Sequence, residues 1–88
     1  MVRIKEARAL PNYKLWLRFT DGREGIVDLS AMVGRGVFER WRDASEFGKV
    51  AVDTRIGTVC WPGNIDLDPD VLYSEATGAA MPGTDKAA

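Results

Sequence analysis

Apolar and charged residues alternate from the start of the chain. Val2 and Ile4 are set against Arg3 and Lys5, which predicts a first strand over residues 2–9. Leu10-Pro11-Asn12 breaks it. The run YKLWLRF follows, then TDGR, then REGIVDL, a pattern that predicts a hairpin with Asp21-Gly22 at its tip. A two-residue turn there pairs Thr20 with Arg23, Leu17 with Ile26 and Trp16 with Val27. Tyr13, Leu15, Leu17 and Phe19 then share the core face. Trp16 and Val27 fall on the opposite face between Lys14 and Arg18, so that a second layer covers Trp16 or it stands exposed as a contact point.

The pattern lengthens after the second glycine-rich break. GRGVFERWRD predicts a short helix with Val37, Phe38 and Trp41 on one face and Arg40 and Arg42 pointing elsewhere. FGKVAVD, TRIG and TVCW predict a second hairpin. Asp53 lies opposite Thr58, Val52 opposite Val59 and Val50 opposite Trp61, with Cys60 beside Ala51 on the other face. Pro62-Gly63-Asn64 ends that strand. Asp68-Pro69 then starts a final helix, since Asp is a preferred cap and Pro suits the first helical position, and Gly78 suits its stop. The expected architecture is an α+β domain on a small antiparallel sheet of two hairpin units, order β-β-β-α-β-β-α. It occupies residues 1–78, with 79–88 as a flexible tail.

Length sharpens this picture. Eighty-eight residues, 45% of them apolar, allow one folded core, with dimerisation as a natural supplement to modest stability. The formal net charge of −1 is unevenly placed. Residues 1–58 carry eleven basic against eight acidic side chains, a balance of +3, and residues 59–88 carry one against five, a balance of −4. The N-terminal stretch lacks the apolar core of a signal peptide and no run is long enough to cross a membrane, so a cytoplasmic protein is expected.

Much chemistry is excluded by composition. The chain has no histidine, which removes the commonest general base, the serine and cysteine triads and the mixed Cys-His zinc site. Cys60 is the single cysteine, so no disulfide or thiolate zinc site forms within one chain, and it reads as a small strand residue. Gly34-Arg35-Gly36 lacks the remainder of any phosphate-binding fingerprint. Asp66, Asp68 and Asp70 superficially match a calcium loop, but Val71 and Thr77 stand where such a loop needs glycine and glutamate. A capped helix start explains Asp68 and Asp70 and leaves Asp66 unassigned. No enzyme, metal or cofactor is expected. Eight arginines raise the possibility of nucleic-acid binding, with Arg18 beside Trp16 offering a phosphate contact and a stacking platform. The acidic balance and the lack of a recognisable nucleic-acid motif disfavour that reading. A protein-contact face around Lys14, Trp16, Arg18 and Val27 fits the same residues.

The order of these segments resembles domain of unknown function family 2442. YKLWLRFTDGREGIVDLS, then VFERWRD, FGKVAVD and TVCWPGNIDLDPDVLY, carry the resemblance over about residues 2–76. Its motif positions are Asp21 and Gly22 in the turn, and Trp61, Pro62, Asp66, Leu67, Asp68, Pro69, Leu72 and Tyr73 in the closing stretch. The resemblance implies a small bacterial α+β protein with no catalytic residues to carry over. It also implies a structural role for the motif and, in some members, an antitoxin-like partnership with a neighbouring gene's product. Other members carry an added helix-turn-helix region, which is not found in this chain. The expected partner is therefore another protein or a second copy of the chain, with a nucleic-acid-binding regulator as the alternative.

Overall fold

The computed structural model describes residues 2–78, so the predicted tail lies outside the described residues. The elements follow the expected α+β order, with one short strand, β6, added before the last helix: β1 (Ile4–Leu10), β2 (Lys14–Phe19), β3 (Glu24–Asp28), α1 (Ala44–Phe47), β4 (Ala51–Asp53), β5 (Thr58–Trp61), β6 (Ile65–Asp66) and α2 (Pro69–Thr77). They form two antiparallel three-stranded sheets, β1-β2-β3 and β4-β5-β6.

The first sheet departs from the expected register by one residue, and the cause is the turn. Gly22 N donates to Phe19 O at 3.0 Å and Phe19 N donates to Arg23 O at 2.9 Å, so the loop holds three residues, Thr20 to Gly22. Gly22 alone takes the left-handed conformation, at φ +90°, whereas a two-residue turn of the predicted type needs Asp21 there too. Asp21 instead accepts from Arg23 N with Oδ1. Leu15 consequently pairs with Val27, and Trp16 with Ile26. Val27 is turned into the core at 3% exposure, while Ile26 stands outside at 53%. The inward set Leu15, Leu17 and Phe19 is as predicted.

At the other end of β2 the chain reverses through Pro11–Tyr13, with Asn12 and Tyr13 both left-handed (φ 64° and 61°). That conformation is costly for a bulky residue. Tyr13 is held in it by three contacts: its hydroxyl donates to Trp41 O at 2.7 Å, its carbonyl accepts from Leu29 N at 2.8 Å, and its ring meets Phe47 edge-on.

Arg3 and Ile4 connect the sheets. Ile4 pairs with Phe19 in the first sheet, yet its N–H donates to Gly57 O in the loop between β4 and β5. The Arg3 guanidinium caps the same loop, donating to the Thr54 and Arg55 carbonyls at 3.0 and 3.1 Å. Gly57 suits its left-handed backbone (φ +73°), and a Cβ there would press on the Arg3 guanidinium at 2.8 Å and displace it from its cap.

The predicted short helix is a 3₁₀ stretch, Gly36–Arg42, followed by one turn of α1. At three residues per turn, Phe38 and Trp41 share a face but Val37 does not, and Val37 is 62% exposed. This corrects the expected apolar trio. In the second sheet Asp53–Thr58, Val52–Val59 and Ala51–Cys60 pair as expected. The expected Val50–Trp61 pair lies beyond the ladder, since β4 begins at Ala51. On the other edge of β5, Trp61 pairs with Ile65 of β6, where Gly63 (φ 93°) and Asn64 (φ 61°) turn the chain back instead of merely ending the strand. The core joins the inner face of the first sheet to Trp41, Phe47, Val59, Trp61, Ile65, Leu72 and Tyr73.

Candidate functional site: the outer face of the first sheet

Most motif positions of the closing stretch have a local structural task. Trp61 is buried and its Nε1 donates to Phe47 O at 2.8 Å. Pro62 lies in the exposed turn, and Asp66 is exposed on β6 opposite Cys60. Asp68 caps α2 by accepting from Asp70 N at 2.8 Å, Pro69 is the first helical residue, and Gly78 closes the helix at φ 78°. Leu72 is buried, and Leu67 O accepts from Thr58 Oγ1 at 2.6 Å. The three aspartates are thus divided among a strand, a cap and a first turn. Among the described residues, no group of three or more metal-ligating side chains converges.

Tyr73 ties α2 to the first hairpin. Its hydroxyl donates to Asp21 Oδ2 at 2.6 Å, and the Arg23 guanidinium lies over its ring at 6.0 Å. The hydrogen bond from Tyr73, with that from Arg23 N, holds the Asp21 carboxyl below the ordinary value of 3.8, and the same bond together with burial raises the Tyr73 phenol above 10.0. A lowered carboxylate stabilises the fold above its unfolded value and loses that contribution as pH falls through the folded one; a raised phenol does the reverse at the alkaline end. The stability difference between the protein and Tyr73→Phe is therefore expected to be flat at neutral pH. It should shrink below pH 3.8 and again above pH 10.0. Urea unfolding across pH checks this, and a difference that stays constant at both extremes would show that the bond contributes nothing.

The first sheet has a second face, turned away from the core. Strict alternation and the observed register arrange nine outward residues in three rows across β1, β2 and β3. The rows read Glu6–Arg18–Glu24, Arg8–Trp16–Ile26 and Leu10–Lys14–Asp28. A one-residue bulge at Lys5 sets this phase, placing Ile4 in the core and Glu6 outside.

The central row carries the aromatic. Trp16 is half-buried beneath two cations, with the Arg8 and Arg18 guanidinium carbons each 5.6 Å from its ring centroid. Arg18 is fixed in turn by carboxylates on both sides: its Nη1 lies 3.2 Å from Glu6 and its Nη2 2.9 Å from Glu24, with Nε donating to the same Glu24 oxygen. These pairs are solvent-exposed, so they orient the guanidinium more than they stabilise the fold. An open depression of about 550 Å³ lies among Glu6, Arg8, Leu10, Trp16, Arg18 and Ile26.

Of the contact residues expected from the sequence, Lys14, Trp16 and Arg18 lie together on this face. Val27 does not, for the register reason given above. Ile26 takes its place, and Glu6, Arg8, Leu10, Glu24 and Asp28 complete the surface. The signal that finds them is the i+j sum of the hairpin, which a three-residue loop changes by one.

A two-sheet α+β domain with one tryptophan-centred sheet face that no other described element covers is the class that fold and site define. The chain belongs to the DUF2442 family of proteins of unknown function, whose model matches residues 4–78. A search of curated proteins returns no match. Among solved structures, the chain is similar to one from Nitrosomonas europaea described as a "putative DNA binding protein", with a TM-score of 0.75 at 20% identity. The match covers 89% of this chain and half the length of that one, and at this identity it speaks for the fold alone. No helix among the described residues is long and apolar enough to cross a membrane.

Proposed function

We propose that this domain binds another protein through the outer face of the first sheet, without catalysis. One observation carries the reading: Trp16 lies under Arg8 and Arg18 on a sheet face that no other described element covers. Tryptophan and arginine are the side chains most enriched among residues that dominate binding energy. The pre-fixed Arg18 adds a contact already ordered before the partner arrives. The finer reading, an antitoxin-like partner of an adjacent gene's product, rests on the family resemblance.

Co-expression with the product of the adjacent open reading frame, followed by pull-down, is the test. The protein should retain that product, and Trp16→Ala combined with Arg18→Ala should weaken retention by about tenfold or more. A complex that survives the double substitution unchanged sinks this face as the contact. The description of the Nitrosomonas structure favours a second reading, a nucleic-acid-binding regulator. Against it, the nine outward residues hold three cations and three carboxylates, and Glu6 and Glu24 would confront any phosphate approaching Arg18. Fluorescence polarisation with duplex DNA at two salt concentrations discriminates, since phosphate contacts weaken steeply with salt.

A further inference from the structure

We infer that the Trp16 face also closes on a second copy of this chain, about a two-fold axis that runs parallel to the strands between β2 and β3. This rests on the protein-binding reading above, which makes the face a contact surface, and it names one polypeptide that the face takes. The composition of the face is the first argument. Its nine outward residues are three cations, three carboxylates and three apolar side chains, Leu10, Trp16 and Ile26. A two-fold contact lays one patch on itself, so each charge must find its opposite within that same patch. Equal numbers permit this, and the rows decide whether the positions do.

Two sheets packed face to face can keep their strands roughly aligned. An axis between β2 and β3 then lays each outward β2 residue over the β3 residue of the same row in the copy. Arg18 meets the copy's Glu24, Trp16 its Ile26 and Lys14 its Asp28, and each contact occurs twice. All three rows match. Ile26, 53% exposed in the single chain, is covered by Trp16. The apolar row lies at the centre with a charged row on either side, the core-and-rim arrangement of protein interfaces. Other aligned axes match less well. An axis along any one strand lays charges over themselves, and one between β1 and β2 pairs Glu6 with Arg18 but sets Leu10 against Lys14. Across the strands, an axis along a row again lays charges over themselves, and one between rows sets Ile26 against Glu24 or Asp28. Six residues per copy fall well short of the roughly 20–30 a side of a standard interface, so the pair is weak and exchanges with a different partner at the same face.

Sedimentation equilibrium of the full chain, over a concentration series reaching about 1 mM, is the test. A monomer–dimer equilibrium is expected, and Trp16→Ala or Ile26→Ala should weaken it by about tenfold. Arg18→Glu and Glu24→Arg should each weaken it too, because each sets like charges across the axis. Mixed in equal amounts, these two variants should recover a dimer, since position 18 of each then faces an opposite charge at position 24 of the other. Both side chains are exposed, and circular dichroism of each variant checks that the fold persists. A chain that stays monomeric throughout the series would overturn the inference, and the adjacent-gene pull-down could still support the protein-binding reading. A dimer indifferent to Trp16→Ala and Ile26→Ala would place self-association elsewhere and overturn it as well. Recovery when Arg18→Glu is mixed with Glu6→Arg, and not with Glu24→Arg, would move the axis between β1 and β2 and overturn this register. A Trp16-dependent dimer in a protein that retains no adjacent-gene product would uphold the inference while sinking the antitoxin-like reading.

Discussion

Replacing Trp41 with alanine is expected to lower stability by about 3–5 kcal/mol, enough to leave much of so small a domain unfolded. Trp41 is wholly buried and stands where the two halves of the fold meet. Its ring lies within 5.0 Å of the Phe38, Phe47 and Trp61 rings, centroid to centroid, and its carbonyl receives the Tyr13 hydroxyl. Removing it empties the space those rings close, and the left-handed Tyr13 loses a neighbour that offsets its strain. Urea unfolding followed by circular dichroism measures the loss. A cost below about 1 kcal/mol would mean that the aromatic cluster is not the centre of the core. Trp41→Phe separates size from polarity. The indole Nε1 is buried with no hydrogen-bond acceptor among the described residues, a state that costs about 1–3 kcal/mol. Phenylalanine removes that orphan donor while filling most of the volume, so its net cost should stay below about 1.5 kcal/mol. A cost for Trp41→Phe well above that figure would show that the N–H is satisfied, for instance by a neighbouring ring face.

How much of this was legible in the residues depends on how local the determinant was. The capped start of α2 is written in adjacent letters, Asp68-Pro69, and appears as read. The second hairpin is equally local, and its pairing from Asp53–Thr58 outward follows from loop length. The first hairpin shows where that logic fails. Thr-Asp-Gly-Arg is compatible with a loop of two residues or of three, and the choice moves every residue of β3 to the other face. The face containing Trp16 was therefore located correctly while its neighbour was not: Ile26, not Val27, lies beside it. Val37 failed for a related reason, since a helical spacing of 3.6 and a 3₁₀ spacing of three diverge within one turn. The Arg18 bridge to Glu6 and Glu24 needs residues from three strands and a bulge at Lys5, none of which has a sequence signature of its own.

Gly25→Ala is expected to be nearly as damaging as Trp41→Ala, although it adds a single methyl group. Gly25 lies on the inner side of β3, where the last turn of α2 crosses the strand. A Cβ built there would overlap the Ala76 carbonyl oxygen and lie 2.6 Å from the Ala76 carbonyl carbon and 2.9 Å from its Cβ. Because the obstacle is backbone, no rotamer change relieves it, and α2 must lift from the strand. Lifting α2 draws Leu72 and Tyr73 from the core and parts Tyr73 from Asp21. A loss of about 3 kcal/mol follows, at the upper end of what overpacking costs. Adding Ala76→Gly should rescue little, since the carbonyl remains. A full rescue would mean that the side-chain contact, not the backbone, sets the closeness of helix and strand. The outcome also bears on binding. Gly25 faces inward and Ile26 outward, so Gly25→Ala should cost affinity only in proportion to the unfolded fraction. Ile26→Ala, at an exposed position, should instead weaken the partner complex with the unfolding midpoint almost unmoved. Loss of affinity in Gly25→Ala under conditions where circular dichroism shows it folded would place part of the contact surface on α2, and the outer sheet face would no longer account for recognition alone.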